Sequence, residues 1–446
     1  MRITQGFETE AIGSHCFSVR FSPDATWLAA SGAQGRVSIF NVSTRQEAYR
    51  LNIMEHEQHP VKQVCWRPER SDASTRTRGV LVGASTDGKV RQWHVTSKRL
   101  LQTWGDPQVT GQLYCVDYAS DGSKAAAAGQ HPTIFVCDEE TKAVTEMTGG
   151  DSLTTPGHAS RIFAIRFPPA GALSNHGSNI ILSGGWDNSV QVWDLRIGHA
   201  VRAIFGPGIS GDGLDVDAAG KSVLTASWRE EDPLERWDLG SGQKIESIPW
   251  RASDTKFRPP CSLYCARFSK DAGSKFIAAG GSMSNEGLGE AKIFDREAAR
   301  RDPKTPMCIG TVPKMSVLSM DFSADGAQLA VGGSGGRVRV STMNNSLSLK
   351  EEDLLPLDYL DESWAQLGNR SNANSKDVVT AADFPNKEDL EYHLDPDDME
   401  SEGGDSEDYE NNDKLWSTEE HRQEPTTSGR ARVPAPIPPN QGYPAA

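Results

Sequence analysis

No stretch of this 446-residue chain approaches the roughly 18 to 20 consecutive apolar residues that a membrane-spanning helix requires. Its opening, MRITQGFETE, also lacks the basic-then-apolar order of a secretory signal. The two absences predict an intracellular, cytoplasmic chain without membrane contact. Cysteine is sparse and odd in number: there are seven, scattered from Cys16 to Cys308 with no CxxC pair. That usage predicts reduced, buried thiols and argues against a disulfide framework or a Cys-rich zinc site. GxSxG, HExxH and EF-hand spacings are missing, and the ten histidines do not cluster with carboxylates at metal-ligand spacing. The glycine-rich GGSMSNEGLGE from Gly280 lacks the Lys-Ser/Thr of a phosphate-binding loop. The expectation is therefore no catalytic residue, no metal and no cofactor.

What is present divides sharply by charge. The formal net charge is −15, yet the first 343 residues hold 37 acids against 38 bases, whereas the segment from Asn344 onward holds 24 acids against 8 bases. Glu388 to Glu410 carries twelve carboxylates and no Lys or Arg. Such a block repels itself and buries too little to offset its ordering entropy, so residues 344–446 are expected to be mostly disordered. Within them, the Leu-, Tyr- and Trp-bearing segment 353–368 stands out as a short apolar island, and STEE at Ser417–Glu420 has capping-box spacing. An acidic tail competes with phosphates for basic surface, so no nucleic acid partner is predicted.

The neutral body is repetitive, and repeats of tens of residues decide architecture before local propensity does. A strand with alternating apolar residues recurs as FSVRFSPDA, QVCWRPE, YCVDYASDG, FAIRFPPAG, LDVDAAG, YCARFSKDAG and LSMDFSADG. Each is followed by a strand ending in small residues, such as LSGG or AAGG, and then by a third that closes on a large residue and a polar one. The closing polar residues are Asn41, His94, Asp138, Asp194, Asp238, Asp295 and Thr342. Seven units in this register resemble the WD-repeat (beta-transducin-like) family. The resemblance covers about residues 12 to 343 and implies an all-β, seven-bladed β-propeller, with residues 1–343 as the propeller and 344–446 as the acidic tail. The seventh unit lacks an obvious fourth strand. Residues 1–10 are expected to supply it and clasp the ring, with NNSLSLK after Met343 as the competing candidate.

The family resemblance also implies a hydrogen-bonded structural set of His, Ser/Thr, Asp and Trp within a repeat. The fourth unit carries all of it as His158, Ser183, Asp187 and Trp193; the second carries Asp87 and Trp93, with His59 as its histidine. Units four and five each place a tryptophan at the turn after the second strand, Trp186 and Trp228, the latter followed by Arg229. Two readings stand for the pair: a partner-binding hot spot on the propeller rim, or packing over the groove between blades. The basic loops with Arg67, Arg70, Arg76 and Arg78, and with Arg296, Arg300, Arg301 and Lys304, could meet an acidic protein surface or simply be solvated.

Together these features predict a non-enzymatic scaffold or adaptor that binds other proteins within a multiprotein complex through the propeller rim, with the acidic tail as an accessory contact. Two alternatives accompany it. The segment Ile181 to Arg196, ending in Trp193-Asp194-Leu195-Arg196, resembles the box of propellers that act as substrate receptors of cullin-based ubiquitin ligases. A cytoskeletal or ciliary component is the other. A propeller enzyme, from a different class, is set aside because no converging carboxylates or metal ligands are expected at the channel mouth.

Overall fold

Apolar residues at every second position favour strands, and in the computed structural model they form seven antiparallel sheets of four strands each. The structure describes residues 2–9, 12–52, 59–69, 78–150, 155–169, 178–250, 261–283, 289–296, 308–313 and 315–344. The expectations placed on the acidic tail beyond Asn344 lie outside these residues, as do Arg70, Arg76, Arg300, Arg301 and Lys304 of the basic loops.

The fourth blade shows the plan. Ile162–Arg166, Ile180–Gly185, Ser189–Asp194 and His199–Phe205 pair in chain order, each antiparallel to the next. The first strands of the seven blades are Cys16–Phe21, Val61–Trp66, Leu113–Tyr118, Ile162–Arg166, Leu214–Val216, Cys261–Phe268 and Val317–Phe322. Each touches the next, and the last touches the first, so the ring is closed.

Closure follows from burial. A single four-stranded sheet cannot cover both of its faces, and here the apolar clusters sit at the junctions between blades. Trp193, wholly buried, packs with Cys115, Ala126 and Ile134 of the preceding blade; truncating it to Ala would cost about 3–5 kcal/mol. Small residues at the end of the second strand permit the close approach. A Cβ on Gly280 would stand 2.6 Å from Val317 of the next blade, and one on Gly332 would stand 2.7 Å from the Cys16 sulfur.

The seventh sheet takes its outer strand from the start of the chain. Arg2–Glu8 pairs antiparallel with Val338–Asn344, with a bulge at Gly6 between Gln5 and Phe7. Glu8 accepts from Arg337 at 2.9 Å and from Arg339 Nε at 2.8 Å. The Arg337 hydrogen bond leads the effects that hold the Glu8 carboxyl below its ordinary range, against a smaller opposing effect of burial. Residues after Asn344, including the rest of NNSLSLK, lie outside the described residues.

Candidate interaction surface and channel mouth

Six of the seven first strands break register at the same point, between Cys16 and Ser18, Val61 and Gln63, Leu113 and Cys115, Ile162 and Ala164, Leu263 and Cys265, and Val317 and Ser319. Each bulge carries one unpaired residue: Phe17, Lys62, Tyr114, Phe163, Tyr264 or Leu318. A bulge re-aims the side chain it carries, and these lie at the end of the ring that also bears the turns between second and third strands. Phe163 lies 5.3 Å from the Trp186 ring, Trp228 lies 4.4 Å from the Tyr264 ring, and Tyr114 stacks on Phe163 at 5.0 Å. This is the upper mouth of the propeller axis.

The fifth blade departs from this pattern. Its first strand begins only at Leu214, and three residues before Asp215 stands Asp212 in the place that Phe163 holds before Arg166. Asp212 is buried on the axis and collects donors from five blades. Arg20 Nη2 reaches it at 2.7 Å, Arg166 Nη2 at 2.5 Å, Gln63 Nε2 at 2.7 Å and Ser319 Oγ at 3.1 Å. Arg267 Nη2 stands 2.5 Å from the same carboxylate as an ion pair. Burial alone would raise its pKa, but the Arg20 and Arg166 charges outweigh that and hold it below the ordinary range.

Around this hub runs a ring of equivalent first-strand positions: Arg20, Cys65, Asp117, Arg166, Asp215, Arg267 and Asp321. Three times, an Asp of one blade is followed by an Arg of the next, and each Asp accepts the main-chain N–H just beyond that Arg. Asp321 takes Phe21 N, Asp117 takes Phe167 N and Asp215 takes Phe268 N, all at 2.8 Å. Strict alternation of charge cannot close on seven positions. The odd place falls to the thiol of Cys65, 3.2 Å from Asp117. Carboxylates therefore do converge on the axis, against the expectation that none would. Asp117, Asp212 and Asp321 are bound to guanidinium, ammonium, thiol or main-chain donors, an arrangement that crosslinks blades and leaves little free acid-base capacity. Among the described residues, no group of three or more His, Cys, Asp or Glu is arranged to hold a metal ion.

His158, Ser183, Asp187 and Trp193 come together in the fourth blade. Trp193 Nε1 donates to Ser183 Oγ at 2.7 Å, Ser183 Oγ meets His158 Nε2 at 2.7 Å, and His158 Nδ1 meets Asp187 Oδ2 at 2.8 Å. With the proton on Nδ1, this reads as one relay from tryptophan to carboxylate. The Ala159 and Ser189 amides also donate to Asp187. Burial pushes the Asp187 pKa up, and the His158 contact and these donors more than reverse it. In the second blade, His59 is exposed and Asp87 pairs with Arg91 instead. The fifth blade keeps a fragment of the set that sequence reasoning missed: Trp237 Nε1 donates to Thr225 Oγ1 at 3.0 Å.

Trp186 and Trp228 are 42% and 41% exposed. Each ring leans on the mouth, Trp186 donating to Ser210 Oγ at 2.7 Å with the Arg161 guanidinium 5.5 Å from its centre. Packing and exposure thus coexist in both. Phe205, 65% exposed, lies at the top of the outer strand between them in sequence. Arg229 is already occupied: it donates to the Asp232 carbonyl of its own turn and to the Gly206 carbonyl of the fourth blade, and pairs with Glu235 at 2.6 Å. Arg196 is half exposed, and its guanidinium folds back on Asp194, with Nε 2.9 Å and Nη2 2.5 Å from the carboxylate.

The family profile described as "WD domain, G-beta repeat" matches residues 8–41, 150–194 and 307–340. Among curated relatives, the chain is 27% identical over 186 residues to Periodic tryptophan protein 2 homolog of Dictyostelium discoideum, covering 42% of this chain and 18% of that protein. It is 25% identical over 194 residues to Transcription initiation factor TFIID subunit 5 of Caenorhabditis elegans, covering 43% and 25%. To Small ribosomal subunit protein RACK1y of Oryza sativa subsp. japonica it is 27% identical over 204 residues, covering 43% and 51%. The matched segments span about a fifth to a half of these relatives.

Proposed function

We propose that this chain, a WD-repeat β-propeller, is a non-enzymatic scaffold or adaptor that holds other proteins of a multiprotein assembly against its upper rim and channel mouth, with residues 344–446 as an accessory contact. The observation that carries this reading is the pair of tryptophans. Large aromatic rings exposed by about two-fifths, each braced from below by another ring, have the composition and rigidity of an interface anchor. The axis is consistent with a structural role, because Asp117, Asp212 and Asp321 are each held by donors from other blades. Two of the relatives carry the names of a transcription-factor subunit and a ribosomal-subunit protein, and membership in a larger assembly is carried over here as part of the proposal.

Affinity purification of the full chain and of W186A/W228A, read by mass spectrometry, tests the reading. The double variant is expected to keep its thermal midpoint within a few degrees, since both rings are partly exposed, and to lose at least one partner by tenfold or more. Retention of every partner by a folded double variant would remove the rim from the proposal.

The cullin-ligase receptor reading keeps one specific observation, the half-exposed Arg196. Its bidentate closure on Asp194 gives the residue a structural occupation as well. Loss of a cullin adaptor from R196A, with other partners retained, would favour that reading over the general one.

A further inference from the structure

The mouth holds two charged residues at equivalent places, and the fold treats them differently. Asp212 is answered by three guanidiniums. Lys62 is answered by no acid: among the described residues it makes no hydrogen bond and no ion pair, and its ammonium stands 4.0 Å above the Phe17 ring. A cation–π contact offsets only part of what partial withdrawal of an ammonium from water costs. Lys62 is half-buried, and that loss of water pushes its amine down to about 8. Packing does not explain the lysine either. Five other blades fill the same bulge with Phe, Tyr or Leu, so an apolar side chain serves the fold there. Across the mouth, the Tyr264 hydroxyl likewise has no hydrogen bond to a described residue. The mouth therefore presents unspent donors, one carrying positive charge, within walls of stacked rings from Tyr114, Phe163 and Trp228.

We propose that the channel mouth is a receptor for an acidic side chain, Asp or Glu, flanked by apolar residues of a partner protein, with Lys62 as its counter-ion. The inference rests on the upper face being the partner-binding face and names what that face reads. Complementarity carries it: a carboxylate supplies the acceptor that Lys62 and Tyr264 lack among the described residues, and apolar neighbours suit the aromatic walls. Docking on the mouth would also strengthen the ion pair by removing water around it.

Random heptapeptides displayed on phage, selected separately on the immobilised full-length chain and on K62Q, test the proposal. The wild-type chain is expected to enrich Asp or Glu beside Leu, Phe or Trp, and K62Q is not. A synthetic copy of the most enriched peptide should bind K62Q about ten- to a hundredfold more weakly, the range of a charge-assisted hydrogen bond. Its Glu→Gln version should be weakened equally on the wild-type chain, with no further loss on K62Q. K62Q should melt no lower than wild type, because it removes a half-buried charge that no described residue pairs. Enrichment of peptides without acids would overturn the carboxylate inference and leave the scaffold reading standing. Equal binding by K62Q, tighter binding of a phosphoserine version, or no enrichment at all would also overturn it. The scaffold reading has its own separate readout, the loss of partners from W186A/W228A.

Discussion

Blades four and five are neighbours built on opposite economies. The fourth ties its own strands together with a relay through His158, Ser183, Asp187 and Trp193. Of that set the fifth keeps, among the described residues, the Thr225–Trp237 bond, yet it sends Asp212 into the axis to hold Arg20, Arg166 and Arg267 of three other blades. One blade is braced internally, and the other braces the ring. Polar residues in a propeller of this kind can therefore stabilise at two scales, and the sequence of a single repeat exposes only the smaller.

The comparison breaks most severely at Asp212. D212A leaves three buried guanidiniums facing one another without the carboxylate they share, and removing one partner of a buried ionic cluster costs about 3–5 kcal/mol. The expected outcome is a large fall in thermal midpoint, or failure to accumulate folded protein. D212N, which keeps the shape and loses the charge, should fall between D212A and wild type. A D212A chain that melted with the wild type would show that the hub contributes nothing to ring closure.

Within the blades the effects should be smaller and unequal. S183A removes the acceptor of Trp193 and the partner of His158 together, leaving buried polar groups unsatisfied at a cost of about 1–3 kcal/mol. T225V removes a single acceptor, so about 1 kcal/mol is expected in the fifth blade. Chemical denaturation of the two variants gives the difference directly. Equal losses would mean that the histidine and carboxylate of the fourth blade add nothing to its Trp–Ser bond.

The sequence carries the first scale legibly and the second poorly, for physical reasons. Strand alternation, small residues at close approaches and the large residue closing each third strand are local patterns, so seven units and an all-β ring can be read along the chain. The Arg and Asp of the first strands are equally visible in VRF, VDY, IRF and ARF. Their meaning appears only when the ring closes and brings residues up to about 300 positions apart into contact, as with Phe21 and Asp321. Asp212 was obscured because it lies in a glycine-rich turn before a strand of only three residues, where neither alternation nor the repeat register is strong. His59 illustrates the reverse error. A histidine in the right stretch of sequence stands exposed, because Arg91, four residues beyond Asp87, pairs with the carboxylate first. Arg229 sits beside Trp228 as expected, but its turn is long enough for the guanidinium to fold onto Gly206, Asp232 and Glu235.

An effect no larger than that of S183A separates the two blades by pH. Burial, opposed by the Arg166 charge, pushes the Asp215 carboxyl up to about 7. The folded ring thus binds this proton more tightly than the unfolded chain, whose Asp titrates near 4. Stability contributed by the protonated form is present below that lower value and is lost as pH rises toward 7. D215N should therefore match the wild type near pH 4 and exceed it at pH 8. The carboxyl is 17% exposed and so partly screened, which limits the gain to about 1–2 kcal/mol. Asp187 in the fourth blade has the opposite sign, because its carboxyl is held below the ordinary range. Its contribution is present above pH 4 and lost as pH falls through the folded value, so D187N should cost stability at pH 8 and cost less on acidification. Urea midpoints of both variants at the two ends of this range decide the point. A D215N chain less stable than wild type at pH 8 would mean that the ring holds Asp215 as a carboxylate, with Arg166 winning over burial there as it does at Asp212.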